Sequence, residues 1–465
     1  MARATIIETH ADLRSRLQGE LLEPGSAGYE DARRIHNAMH DRRPALIARC
    51  AGREDVRAAL AYARDRELPL AVRGGGHHVA GHALCDGGLV VDLSPMKGVA
   101  VDPQTRTVRA QAGLTWGELD RETQVFGLAV TGGRASTTGV AGQTLGSGSG
   151  RLERKLGLGC DSLLSAEVVT ADGRVLRASE DEHADLFWGL RGAGPNFGVV
   201  TELEFRLHPV GPVVLGGLLL YDGRHSAELL RHYRDVMEEA PDELGTDFVL
   251  ATGSPEAFVP EELHGRPVAG VIVCHSGPVH EGLEAVRPLY EPIAPVADLV
   301  EPMPYTAVQQ IVDGFMPPGR RGYWKSEAVG ELRDGTIDTL VSWAGRMSSP
   351  FSSLVLEPKG RAIARVPDDA MAISGRDAAY FYYAFGIWED PTENERHIEW
   401  TREVWRAMEP YTITGLPLNF TVDSGEERLR ATFGDEKYAR LVALKDRYDP
   451  DNLFRHNANI RPSGT

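Results

Sequence analysis

The stretch VRGGGHHVAGHALCDGGLVVD, residues 72–92, places Gly74, Gly75 and Gly76 directly after an apolar run, Leu68 to Val72, that reads as the end of a buried strand. Glycine admits φ > 0, so such a run turns several backbone N–H groups toward one point and makes a concave nest for phosphate oxygens. Arg73 adds charge beside that nest. The fingerprint G-x-G-x-x-G fails, because Val79 stands where its last glycine belongs and no helix is predicted to open after the loop. No G-x-x-x-x-G-K-[ST] pattern occurs either. The loop therefore points to an anionic cofactor and to a different phosphate-binding fold.

His77, His78 and His82 follow, and each taken alone reads as part of a polar turn. As a unit, Arg73-x-Gly75-Gly76-His77 with Gly81 and Gly88-Leu-Val-Val-Asp92 resembles the berberine-bridge-enzyme-like FAD-linked oxidases, within the vanillyl-alcohol-oxidase or p-cresol methylhydroxylase (PCMH) type of flavoproteins. The resemblance implies an α+β, two-domain PCMH-type fold with FAD as cofactor. It also implies that the histidine of R-x-G-G-H is joined to the 8α-methyl of FAD, which selects His77 rather than His78. Arg73, Gly74, Gly75, Gly76, His78 and Gly81 are the expected cofactor contacts around it.

At 465 residues the chain is expected to divide into more than one core. A hydrophobic content of 42% with 25% charged residues fits a soluble globular protein, and a net charge of −17 argues against nucleic acid or an anionic membrane as partner. Cys50, Cys85, Cys160 and Cys274 are scattered without C-x-x-C spacing, which reads as reduced buried thiols rather than a metal site. The N-terminus, MARATIIETHADLRSRL, lacks the apolar core of a signal peptide, and no run approaches a membrane span. A cytoplasmic monomer or homodimer is expected.

Residues 10–42 read as helical, followed by a strand from Pro44 to Cys50, a helix from Glu54 to Arg64 and the strand Leu68 to Val72, with a parallel right-handed crossover. Leu89 to Leu93 reads as another buried strand, and VAVDPQTRTVRAQAG as a hairpin around Pro103 and Gln104. The glycine-dense run Thr137 to Gly150 contains Val140 and Leu145, which favour a packed, cofactor-contacting loop over a flexible linker. It resembles the family segment C-x-x-V-G-x-x-G-x-x-x-G-G-G-x-G, and on that likeness Thr138, Gly139, Gly142, Gly146, Gly148 and Gly150 are cofactor contacts. Ala135 stands where many relatives carry a second flavin-linking cysteine, so one bond, at His77, is expected. Ser147 replaces a motif glycine, and its hydroxyl either donates to phosphate or is merely tolerated.

Downstream, a short helix leads to the strand Ala166 to Thr170, a turn at Asp172-Gly173 and a further strand. Gly157-Leu158 and Asp161 match the family, as does D-L-F-W-x-x-R-G-x-G-x-x-F-G-V-V-T from Asp185 to Thr201, in which the likeness sets the backbone from Gly198 to Val200 against the FAD adenine end. At the C-terminus, Asn452 to Ile460 resembles N-x-F-R-x-N-Q-N-I, which puts Asn457 and Asn459 near the flavin. Between these blocks, strand-like runs at Val213 to Tyr221, Phe248 to Ala251, Val268 to His275, Ser353 to Glu357 and Ala379 to Ile387 alternate with helical runs at Ser226 to Ala240 and Pro278 to Arg287. This gives a FAD-binding domain over 1–208, a substrate domain over 209–420, built on an antiparallel sheet covered by helices, and a return to the first domain over 421–465.

In many relatives the tyrosine of a Y-x-N motif serves as base; here Pro417 occupies its place, although Asn419 is kept. Glu357, flanked by Leu354, Val355, Leu356 and Pro358, is a candidate base if desolvated and otherwise a salt-bridge partner; Tyr382 is the second candidate. The expected activity is oxidation of a secondary-metabolite or polyketide-like small molecule, with hydride passing to flavin N5 and O2 reoxidising the ring. The alternatives are a flavin-dependent oxygenase, a carbohydrate or alcohol oxidase and, more distantly, a non-redox binding flavoprotein.

Overall fold

Leu89-Val90-Val91 is apolar without alternation, the pattern of a strand buried on both faces. A computed structural model, which describes residues 10–413, 415, 417–420, 422 and 425–464, places the strand Leu89–Asp92 in the middle of a four-stranded sheet, parallel to Leu46–Arg49 on one side and to Leu70–Arg73 on the other. The two strands of the expected crossover are thus parallel but not neighbours, because the later strand inserts between them. The helix Arg53–Asp65 connects them and buries Val56, Ala59, Leu60 and Ala63, the face given by its periodicity. The N-terminal nine residues, Leu416 and Thr421 lie outside the described residues.

One long helix over residues 10–42 does not form. Residues 10–16 are helical, a strand Glu20–Leu22 pairs with Leu46–Arg49, and a single turn follows at Tyr29–Ala32. Gly25 and Gly28, at φ +92° and +81°, take the chain through conformations that a continuing helix lacks. A second sheet is five-stranded and antiparallel, in the order Val99–Asp102, Thr107–Gln111, Val199–Arg206, Leu163–Val169 and Val175–Ser179. The glycine-dense segment is packed, but as the short helix Val140–Gly146 and a buried turn rather than as loop throughout.

The third sheet has nine strands. Val213–Asp222, Pro267–His275, Leu244–Thr252, Ser353–Pro358, Tyr380–Trp388 and Arg321–Val329 are its long members, each antiparallel to its neighbour. The helices Ser226–Glu239, Asp334–Ala344 and Asn394–Met408 contribute to a core with Leu219, Tyr221, Phe248, Val271, Leu356 and Tyr382 on one face of this sheet. Arg321–Val329 was not read as a strand because Lys325 and Glu327 interrupt its apolar pattern. Both charges are answered from neighbouring helices: Lys325 Nζ lies 4.5 Å over the Trp405 ring, and Glu327 pairs with Arg428 at 2.7 Å. The C-terminal helix Glu426–Tyr448 bends at Gly434 (φ 73°), and its last turn carries the buried pair Lys445–Asp449 at 2.7 Å.

All four cysteines are buried and free. Among the described residues no helix is long and apolar enough to cross a membrane, and no cluster of three His, Cys, Asp or Glu side chains could hold a metal ion.

A polar contact joins the helix Trp116–Gln124 to the end of the short helix Tyr305–Val308. Asp120, on the helix Trp116–Gln124, is 1% exposed and accepts from Gln309 Nε2 at 3.4 Å, while its Oδ1 has no partner. Burial pushes its carboxyl up to about 7, opposed only by the Gln309 contact. A folded-state pKa above the unfolded value contributes stability that is complete below pH 4 and is lost as pH rises through 7. Asp120→Asn should remove this dependence, so that the variant gains about 2–3 kcal/mol on the wild type between pH 5 and pH 8. Denaturant unfolding at the two pH values checks it; parallel curves would mean that Asp120 titrates alike folded and unfolded.

Candidate functional site

The loop after strand Leu70–Arg73 and the segment Thr138–Gly139 meet without side chains. A Cβ on Gly75 would stand 2.4 Å from the Gly139 amide nitrogen, so both positions must be glycine for the backbones to touch. Gly76 has φ 65°, and among the described residues the amides of Gly75, Gly76 and His77 donate to no protein acceptor. These loops floor a cavity of about 640 Å³, roofed by the face of the nine-stranded sheet opposite the three long helices.

Gly74, Gly75, Gly76, His77, His78, Thr138, Gly139, Gly142 and Gly146 all reach this cavity, as do Asn419, Glu357 and Asn457. The His77 Nε2 is 2.9 Å from Thr137 Oγ1, and the His77 ring lies 3.9 Å from that of His36. The cavity exposes His77 in part, yet protein surrounds it; burial, helped by His36, lowers the imidazole to about 3 and keeps it neutral. His78, His82 and His456 are likewise lowered, chiefly by burial.

The residues fit a large polar cofactor. Added Cβ atoms at Gly142 and Gly194 would meet no protein atom and would project into the cavity. Gln143 Oε1 and Asn457 Oδ1 are buried there without hydrogen-bond partners, while their amide groups are spent on Ser149 O and on the Pro195 and Phe454 carbonyls.

Other expected contacts do not line this cavity. Arg73 turns away from the cavity, donates to Ala32 O and lies 4.0 Å from Asp92. Gly81 packs on the His40 ring, and Gly148 and Gly150 on the backbones of Gly159 and Gly132. Asp161 is held by Arg376 at 2.6 Å and by the Leu158 amide at 2.9 Å. Gly198 lies against Val168, and Val200 is a core residue of its strand. Asn459 does not reach the cavity, although its Oδ1 has no partner. The Ser147 hydroxyl donates to Asn419 Oδ1 at 3.0 Å rather than to an open site.

Tyr382 is also misplaced by the sequence reading. Alternation along Tyr380–Trp388 sends Tyr380 and Tyr382 into the helix-covered core, and Phe381, Tyr383 and Phe385 to the other face. Tyr383 is therefore the tyrosine at the cavity, and its hydroxyl donates to Glu357 Oε2 at 2.8 Å. Burial, then the Glu357 charge, raises its pKa well above the usual phenol range. Glu357 takes the salt-bridge alternative: Lys359 Nζ is 2.7 Å away and Arg134 Nε 3.0 Å. Arg134 also binds Asp247 at 2.7 Å and Glu153 at 2.9 Å; Lys359 binds Glu153 at 2.6 Å, and Arg151 reaches Asp247 at 3.3 Å. Arg134, Asp247, Lys359 and Gln143 were not foreseen. Strand parity points Asp247 and Tyr383 inward, but no local signal announces that the six charges meet.

The sequence model described as "FAD binding domain" matches residues 44–179, and that described as "Berberine and berberine like" matches residues 417–461. (R)-6-Hydroxynicotine oxidase of Paenarthrobacter nicotinovorans is 32% identical over 97% of this chain and 98% of its own length. An FAD-linked oxidoreductase of Dictyostelium discoideum is 30% identical over 96% and 95%. Among solved structures, 6-hydroxy-D-nicotine oxidase from Arthrobacter nicotinovorans superposes with a TM-score of 0.87 at 30% identity, covering 96% of this chain and 98% of that one. A berberine bridge enzyme variant shares the fold, with a TM-score of 0.86 at 19% identity and coverage of 98% and 99%.

Lys359→Met leaves Glu153 and Glu357 buried without their shared ammonium, and should lower the unfolding free energy by about 3–5 kcal/mol. Chemical denaturation measures it; a loss below about 1 kcal/mol would mean that the carboxylates find other compensation.

Proposed function

Because the chain belongs to the berberine-bridge-enzyme-like FAD-linked oxidoreductases, we propose that it is an oxidase carrying FAD bound once, through His77, and acting on a small secondary-metabolite-type molecule with O2 as electron acceptor. The observation that carries this reading is the neutral His77 imidazole on the glycine loop, inside a cavity roofed by the sheet. A neutral imidazole keeps the lone pair that alkylation requires, and Ala135 supplies no second nucleophile. The amides of Gly75, Gly76 and His77 are suited to the cofactor's phosphate charge, and Gln143 and Asn457 offer it free carbonyl oxygens. Bound flavin supplies two-electron oxidation, which no side chain provides.

The protein's own part is to hold a substrate and manage one proton. Tyr383 commits its hydroxyl hydrogen to Glu357, so the phenol oxygen faces the cavity wall as an acceptor for a substrate hydroxyl. Lys359 and Arg134 keep Glu357 in place beneath it, and proton demand at Tyr383 Oη is met by that carboxylate. Asn419 donates to Gly142 O at 3.1 Å and accepts from Ser147, and thereby braces the helix of the second glycine segment. Pro417 does not reach the cavity, so Tyr383 takes the place of the missing motif tyrosine.

His77→Ala should abolish the covalent adduct, seen as loss of one FAD mass from the acid-denatured protein; an adduct that survives would sink the assignment. Tyr383→Phe should slow anaerobic flavin reduction at saturating substrate by about 10²-fold or more, with a much smaller change in half-saturation. An unchanged limiting rate would return Tyr383 to a packing role.

A further inference from the structure

The charges in the wall of the cavity are answered within the protein. Glu357 is matched by Lys359 and Arg134, and Asp247 by Arg134 and Arg151; with Glu153 these make three carboxylates facing three cations. At the mouth, Arg320 pairs with Glu389 at 3.2 Å and stacks 3.8 Å over the Phe351 ring. Glu256 stands on the exposed rim, where water solvates it. The four histidines that reach the cavity are neutral through burial. A substrate ammonium or carboxylate pressed against this wall, inside the rim where Glu256 stands, would lose its hydration and find no free counter-ion.

What the wall does offer is flat and apolar. Strand alternation on the cavity face presents Leu218, Val249, Ile272 and Val355, with Gly270 among them leaving a shallow floor. Beside them the Trp324 and Phe385 rings meet edge to face with centroids 5.0 Å apart, and Tyr383 lies parallel to Phe385 at 5.4 Å. Phe315, which is 41% exposed, and Phe351 continue this surface outward to the mouth. Rings of this kind reward planar aromatic partners. At the inner end the Tyr383–Glu357 hydrogen bond and the paired Arg134 and Asp247 are polar features of the lining.

We infer that the site takes a neutral, planar, largely apolar substrate, an aromatic alcohol or phenol rather than an amine, a carboxylate or a sugar, and that charge closure of the wall enforces this choice. The inference rests on the cavity being the substrate site of the oxidase proposed above, and it narrows that proposal from small molecule to chemical class.

The test uses the holoprotein and four probes: 2-naphthalenemethanol, its carboxylate and methylammonium counterparts 2-naphthoate and 2-naphthylmethylammonium, and cellobiose, neutral but polyhydroxylated. Calorimetric titration should show the alcohol binding at least about ten-fold more tightly than each of the others. Equal or tighter binding of any of the three, or no binding of the alcohol, overturns the inference. Val249 forms no ion pair, so Val249→Asp should raise affinity for the ammonium probe, and Val249→Lys for the carboxylate, each at least several-fold; an unaltered ranking in both overturns the assignment of the wall. If either variant fails to fold, the wild-type ranking decides. Reoxidation of dithionite-reduced holoprotein by air is read in parallel, and its absence would sink the oxidase reading while leaving the ranking intact.

Discussion

The buried cluster of Arg134, Arg151 and Lys359 with Glu153, Asp247 and Glu357 is the interaction on which the two halves of the molecule depend. Arg134, Arg151 and Glu153 come from the glycine-rich half, and Asp247, Glu357 and Lys359 from the large sheet. Each of these ions is costly to desolvate, and each is tolerable only while its partners from the other half stay in place. The cluster therefore acts less as a source of net stability than as a constraint on register: the halves meet with all six charges paired, or they leave several buried and unpaired.

That register sets the height of the cavity. With Arg134 fixed, the glycine loops lie at a set distance below the sheet, and the space between them becomes a slot with a polar inner end and an aromatic mouth. The Gly75–Gly139 contact works in the same direction from below, since any side chain there would force the loops apart. Electrostatics and shape follow from one arrangement: the charges that join the halves are spent on each other, so they are visible to a substrate as a neutral wall. Glu357 illustrates the trade. As a lone desolvated acid it would be a strong base; held by Lys359, Arg134 and Tyr383 it becomes the fixed acceptor that orients a phenol.

Much of this was legible along the chain wherever the physics is local. Periodicity located the helix Arg53–Asp65, and unbroken apolar runs located the central strands; the hairpin of Val99–Asp102 with Thr107–Gln111 followed from its turn residues. The motifs around the glycine run before His77 led to the family and the cofactor that the comparisons support. Less was legible where a residue's role depends on what faces it across space. Arg73, Asp161 and Gly198 carry motif positions, yet their side chains or missing side chains serve packing and ion pairs. Arg321–Val329 escaped notice because the partners of Lys325 and Glu327 lie on distant helices.

The sequence by itself determined the fold class, the flavin-binding character and the histidine beside the glycine nest, because backbone freedom, strand burial and short motifs are properties of neighbouring residues. The tertiary structure decided which tyrosine meets the cavity, that Glu357 is held in ion pairs, and that the buried charges of the wall are paired with one another. Those outcomes turn on strand parity measured against the sheet's two faces, and on ion pairs between residues as far apart as Arg134 and Glu357. Neither is encoded in any local run of the chain: a side chain's protonation and reach are set by the neighbours that packing brings within a few ångströms of it.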